Sequence, residues 1–478
     1  MSSSVTPDRR HWIKSAVGLS TAMLLGDVVA ERISVAGEND GELLRAGAGG
    51  HDLFRLRVEL EIEGNVRVPQ SPAIAKGETK QVPVQSRATL DWEERILIST
   101  VEGVGHVAQR YYHQAESRGT IGNQKQNLTL RPEMRDLRVQ HQDSQWLVYS
   151  PEHYLEGREL ELLSVPTSSL AIDALLPTER ISVGESYTIE EAVIAKWLSL
   201  ASVESSTVAG ELTSVTPTEA KIQLQGKVQG SAAGVPTTVE LAAKLTFDRV
   251  EGCCTWMAIG MKETRQIGRS EPGFEVAAKI RMVRRPLADP IRISPAPTED
   301  LGEEVPSNLL LVELNSAAVG YSVLMDRNWR MMSDVAGAGM MRLVERDTLV
   351  AQCNLRPLGK LAAGQQMTLE AFVRDSRESM GERFVEILQS SEEVNEAGLR
   401  VMRVTIQGVV QTVPVQWIFI QFSDDNGRRL LATLTIGNDF LESFAGADQQ
   451  LASSLRFLPL DDATQTVASD RKGAESLR

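Results

Sequence analysis

Between Arg55 and Glu63 apolar and charged residues alternate without a break. Leu56, Val58, Leu60 and Ile62 take one parity; Arg55, Arg57, Glu59, Glu61 and Glu63 take the other. A period of two puts successive side chains on opposite faces of a β-strand. This segment is therefore a strand with one buried face and one wet face. Comparable stretches lie at 82–92, 105–114, 135–150, 219–229, 237–249, 254–265 and 275–284. Consecutive strands that are wet on one side predict an antiparallel meander, because a parallel sheet needs helical crossovers and burial on both faces.

Two segments break the alternation. Residues 167–175, ending before Pro177, predict a helix. A second helix, 188–201, opens on Thr188-Ile189-Glu190-Glu191, a capping-box pattern in which Thr188 and Glu191 would satisfy orphan amides. Ile189, Val193, Trp197 and Leu200 then form one apolar stripe expected to pack across the sheet. If the β-rich domain carries an apolar ligand, Ile189, Val193 and Trp197 would line the void beneath this helix. If it does not, they would be packed core.

Pro286, Pro290, Pro295, Pro297 and Pro306 place five of the chain's 19 prolines within a short span, interspersed with Glu299, Asp300, Glu303 and Glu304. Proline lacks the donor a ladder requires, so 286–308 predicts an extended linker. Arg281, Arg284 and Arg285 just before it are a candidate anion-binding patch, or else partners of the linker acids. The expected organisation is a signal peptide at 1–30, a flexible leader at 31–51 and a β-rich domain at 52–285. The linker follows, then a second domain at 309–458 and a frayed tail at 459–478.

The second domain predicts strands around Tyr321, Val323 and Met325 and at 341–346 and 349–355. A helix over 367–380 follows, with Leu369, Phe372 and Val373 inward. Further strands are expected at 384–389, 399–407, 412–423 and 428–436. The last two flank Asn426-Gly427, where a type I′ turn would need positive φ at both central residues. Asn438 is expected to cap a closing helix to about 455, with Phe440, Leu441, Phe444, Leu451 and Leu455 as its apolar face. This order of elements, with Gly320-Tyr321-Ser322-Val323, Trp329, Glu370-Ala371-Phe372 and Ser453-Ser454-Leu455-Arg456-Phe457, resembles the PsbP-like fold, an α/β/α sandwich. The resemblance covers about 150 residues. It implies a binding or assembly module without a shared catalytic centre, and it transfers no site residues. The β-rich domain is similar, by fold analogy alone, to bacterial lipoprotein-carrier half-barrels. The fold class expected for the whole chain is α+β: a β-meander domain with one or two covering helices, then an antiparallel sheet with flanking helices.

Several functions are disfavoured. The formal charge of −14, from 50 Lys+Arg against 64 Asp+Glu, argues against nucleic-acid binding, which needs a basic face. Arg9-Arg10-His11-Trp12-Ile13-Lys14 precedes an apolar run too short to span a bilayer. It resembles a twin-arginine export signal, so a periplasmic or extracellular location is expected, with no integral membrane segment after signal removal. Three cysteines, Cys253, Cys254 and Cys353, are not a disulfide framework, and the adjacent pair should point to opposite faces of a strand. After the signal, the histidines all lie in the first 153 residues. His106 and His113 should face opposite sides of their strand, so neither a metal nor a cofactor is expected. No nucleophile elbow, phosphate loop or zinc motif occurs. The sequence therefore predicts an exported, non-catalytic binding or assembly protein whose partner is another protein or an apolar ligand. A carrier of an apolar small molecule or lipid is the alternative, and an extracytoplasmic hydrolase a remote one.

Overall fold

The computed structural model describes residues 41–69, 79–99, 105–268, 272–298, 301–335, 337–362 and 364–459. The expected signal peptide, residues 31–40 of the leader and all but Pro459 of the tail lie outside them. Of the described residues, 57% are in strands and 14% in helices. The chain is therefore mostly β, which overturns the α+β class expected above. It divides into two compact units that meet in sequence between Leu310 and Leu311.

The first unit carries β1 (Leu53–Pro69), β2 (Thr79–Ser99), β3 (Gly105–Ile121), β4 (Gln124–Thr129), β5 (Asp136–Gln142), β6 (Gln145–Tyr149) and the two-residue β7 (Leu155–Glu156). After a helical interlude come β8 (Ser186–Thr188), β9 (Ser202–Ser206), β10 (Ala209–Val215), β11 (Glu219–Ala232), β12 (Val235–Asp248), β13 (Cys253–Arg265) and β14 (Gly273–Pro286). All but β7 belong to one 13-stranded sheet, ordered β6-β5-β3-β2-β1-β14-β13-β12-β11-β10-β8, with β4 on β3 and β9 on β11. It is not a simple meander, because β1 lies between β2 and β14. Leu56, Val58, Leu60 and Ile62 are buried on the inner face, beside Arg284, Met282, Ile280 and Ala278 of β14.

A thin cap covers that inner face. It comprises α1 (Gly157–Leu163), 3-10 turns at Ser169–Ala171 and Asp173–Leu175, and α2 (Glu191–Trp197). The helix expected at 167–175 is thus two 3-10 turns. The Thr188–Glu191 capping box does not form: Thr188 pairs with Ala209 in the sheet, and α2 starts after Glu190 without a side-chain cap. A capping box does stand at α1, where Glu156 and Glu159 bond reciprocally.

Residues 41–51, expected to be flexible, are docked. Leu44 is buried, Glu42 bridges Ile181 and the Gly47 amide donates to Gly252. The Pro-rich linker is docked as well. As a strap it crosses the outer face of β2, β5 and β6, burying Ile293 and Val305. Val305 packs with Leu147, Tyr149, Leu309 and Leu310, and Gln140 donates to the Gly302 and Glu303 carbonyls.

The second unit holds β15 (Leu311–Ser316), β16 (Tyr321–Asp326), β17 (Trp329–Val335), β18 (Ala338–Glu345), β19 (Thr348–Leu358), α3 (Leu369–Met380), β20 (Phe384–Val394), β21 (Arg400–Val410), β22 (Val413–Ser423), β23 (Arg429–Gly437), α4 (Leu441–Phe444), α5 (Ala447–Ser454) and β24 (Arg456–Phe457). Seven strands form an antiparallel sheet in the order β17-β18-β19-β23-β22-β21-β20. Phe372 and Met380 of α3 pack on Met402, Val404, Ile406, Trp417 and Phe419. The hairpin after β22 has positive φ at Gly427 and not at Asn426, so it is no type I′ turn. The closing helix is broken at Gly446, whose φ is +83°.

Candidate functional site

The inner row of β13 reads Met257, Ile259, Met261, Glu263, Arg265, all buried. It begins apolar and turns charged at its end. Here the sheet and cap border a partly open cavity of about 210 Å³. Leu60 and Ile62 of β1, Val239 of β12 and Met261 supply apolar wall, while Leu162 of α1 and Leu200 beyond α2 form the roof. Three charged side chains also line it: Glu161 of α1, Glu263 and Arg265.

Glu263 and Arg265 are two apart on one strand, so they share a face, and Arg265 Nη2 donates to Glu263 Oε1 at 2.9 Å. The guanidinium also lies 4.8 Å from the Phe274 ring centroid, a cation–π contact. Burial pushes the Glu263 carboxyl up to about 6, against the opposing pull of Arg265. Glu159, two residues before Glu161, has a different task. It takes Arg131 through Nε at 2.9 Å and Nη2 at 2.8 Å and ties α1 to the segment after β4.

Two buried polar networks hold the rest of the cap. Glu94 of β2 accepts from Arg110 Nε at 2.7 Å and from the Ser169 hydroxyl at 2.9 Å. Asp173 accepts from Arg284 Nη1 and from the Cys254 amide, the latter at 2.7 Å. Arg284 also stacks 3.7 Å from the Phe54 ring centroid. Buried ionic groups of this kind are tolerable only when their hydrogen bonds are met. Both networks fasten 3-10 turns of the cap to strands of the sheet.

Ile189 and Val193 are half-buried and Trp197 is fully buried, but none of the three lines the cavity. Trp197 is core, and the void begins at Leu198, Ser199 and Leu200 just after it. Of the stripe expected over 188–201, Leu200 is the member that lines this void. The missed residues, Glu263 and Arg265, carry a parity signal: both fall in register with Met257, Ile259 and Met261. Glu161 has no such signal, because α1 was not anticipated.

The arginine triplet is split. Arg284 points inward to Asp173, whereas Arg281 lies outside, 3.5 Å from Glu59, and Arg285 is also exposed. Strand parity separates them, so they do not converge on one anion. The histidines are separated too. His106 lies beside His141, with ring centroids 6.2 Å apart, while His113 Nε2 is 2.6 Å from Glu93 Oε1. Burial, with Lys196 and His106 nearby, pushes His141 down to about 4. Among the described residues no group of three or more His, Cys, Asp or Glu is placed to hold a metal ion. The three cysteines are free and buried; burial pushes the Cys253 thiol up to about 11. Among the described residues no helix is long and apolar enough to cross a membrane.

No family model matches this chain, and no curated protein matches it. Solved structures share part of it. Cyanobacterial PsbP from Synechocystis sp. PCC 6803 is 15% identical, covering 34% of this chain and 99% of its own, at a TM-score of 0.25. A protein of unknown function from Pseudomonas aeruginosa is 13% identical, covering 31% and 99%, at a TM-score of 0.21. A Bacteroides thetaiotaomicron structure is 9% identical over 31% of this chain, at a TM-score of 0.23, and the match spans 48% of that protein. Each of these likenesses is confined to about a third of the chain.

Proposed function

We propose that this is an exported, non-catalytic binding protein whose first unit holds a small, largely apolar molecule between the sheet and its cap. The observation that carries this reading is the cavity of about 210 Å³, walled by Leu60, Ile62, Val239 and Met261 and ended by the buried Glu263–Arg265 pair. Binding sites are characteristically apolar hollows with a few placed polar groups. Export rests on the resemblance of Arg9-Arg10-His11-Trp12-Ile13-Lys14 to a twin-arginine signal. The resemblance of the second unit to PsbP-like modules favours a binding role there as well.

Native mass spectrometry tests the reading on protein purified gently from an extracytoplasmic fraction. The expected result is an excess mass of one to a few hundred daltons, released by organic solvent and absent from a Met261→Trp variant that fills the cavity. A bare chain mass, or that mass plus another protein, would turn the reading towards an adaptor.

A further inference from the structure

We infer that His106 and His141 form a copper(II) site: a cross-strand imidazole pair that gives the ion two nitrogen ligands and leaves its other positions to water. The inference is independent of the cavity described above.

The backbone brings the pair together. β3 and β5 run antiparallel, and their ladder reaches Val107 opposite Gln140; one residue further, His106 stands opposite His141. Both extend inner rows, His106 from Ala108 and His141 from Val139, which pack with Leu170 of the cap. Directly opposed residues of an antiparallel pair have Cβ atoms about 4.5–5.5 Å apart. His113 takes no part, because it meets Glu93 on the other side of the sheet.

The rings agree with the backbone. Their centroids are 6.2 Å apart and their planes are inclined by 57°. With metal–nitrogen bonds of about 2.0–2.1 Å, two imidazoles on one ion have centroids roughly 4.5–6.4 Å apart, depending on the angle at the metal. The adjustment required is one of side-chain rotation. Both residues are half-buried, and neither ring has a hydrogen-bond partner among the described residues. His51 and His113, in contrast, are each held by a carboxylate. Trp146, opposite His141 on β6, packs T-shaped against its ring with centroids 4.9 Å apart. The indole is itself fixed by donating to the Lys196 carbonyl at 2.8 Å.

The choice of metal follows from ligand number and charge. Among the described residues no Asp, Glu or Cys completes a group of three, so the closed tetrahedral set of a structural zinc site is not present. The Lys196 ammonium acts on His141 and opposes any cation. The ion must therefore gain the most from each imidazole, which among divalent first-row metals is copper(II).

The test titrates copper(II) chloride into the full chain, purified without a histidine tag, in a non-coordinating buffer at pH 7.5. One equivalent should bind, with an electron paramagnetic resonance spectrum showing two imidazole nitrogens. His106→Asn and His141→Asn should each weaken binding at least tenfold, while His113→Asn and His153→Asn leave it unchanged. Lys196→Gln should tighten it severalfold, a gain that a misfolded variant would not give. Copper that fails to bind, or is held equally well by His106→Asn and His141→Asn, would overturn the site. So would a one-nitrogen spectrum, a loss on His113→Asn, or zinc(II) binding tighter than copper(II).

Discussion

Glu93 is a residue of the outer face of β2 and yet has no solvent exposure, because Ile293 and its neighbours lie on top of it. Its carboxylate accepts the backbone amides of Ile291 at 2.8 Å, Arg292 at 2.9 Å and Ile293 at 3.3 Å, while His113 sits 2.6 Å away. His113 is the extra residue of a β-bulge, since Trp92 faces Tyr112 and Asp91 faces Gln114. Bulges commonly re-aim a side chain in this way. One carboxylate thereby fastens a proline-rich segment that has no ladder of its own.

Removing that acceptor should loosen the strap first. Glu93→Ala leaves three amides and a histidine without their partner, at an expected cost of about 2–4 kcal/mol. Hydrogen exchange at Ile291, Arg292 and Ile293 should accelerate well beyond exchange in β1. Unchanged protection at those three amides would refute the fastening.

Acid should act at the same place. Burial alone would raise Glu93, but the three amides and His113 outweigh it and hold the carboxyl below its ordinary value of 4.5. A depressed carboxyl contributes its stability above the unfolded value and loses it as pH falls through the folded one. Chemical denaturation below pH 4.5 should therefore show a falling midpoint, with a shallower fall in Glu93→Gln.

Glu263 should behave in the opposite sense. Its carboxyl is raised to about 6, so it favours the folded chain below 4.5, and that contribution is lost as pH rises to about 6. Glu263→Gln should flatten this window. The charged groups nearby are Arg265 on the same strand, Glu161 on α1 and Arg67 of β1, which donates to the Arg265 carbonyl.

Trp197 is the largest fully buried side chain among the described residues and anchors the end of α2, where its carbonyl takes the Ser168 amide at 2.8 Å. Trp197→Ala should destabilise by about 3–5 kcal/mol. A change below about 1 kcal/mol in urea denaturation would contradict its place in the core.

Gly427 holds a φ of +79°, and a Cβ there would come 2.1 Å from the Leu361 carbonyl oxygen. Gly427→Ala should cost about 1–3 kcal/mol through both the backbone strain and the clash. Asn426→Ala, at a position without positive φ, should be nearly neutral. Melting temperatures of the two variants give the comparison.

Strand positions were legible in the sequence because parity is a local signal: Leu56 to Ile62 and Val239 to Phe247 are buried where their alternation puts them. Helices were not, since their ends were decided by the sheet. Thr188 was taken by β10 before it could cap α2, and the left-handed Gly446 split the closing helix. The cavity was half legible. Leu200 of the expected stripe lines it and Trp197 is packed core, one of the two outcomes that parity left open, whereas the burial of Glu263 and Arg265 depends on a cap that no local signal announces. The strap gave no local hint, because Glu93 and the amides it holds are some 200 residues apart.

That separation also bears on how the chain reaches this state. β1 is synthesised first, yet its register partner across Leu56 is Arg284, and Glu93 must stay unsatisfied until residue 293 has been made. The first unit is thus a closure problem rather than a relay: its earliest strands have one edge open until the last strand arrives. Chains dominated by such distant pairings fold slowly and expose unpaired edges while they do so. The docking of the strap over β2, β5 and β6 would then be among the last events, the step after which the first unit no longer offers that face to other chains.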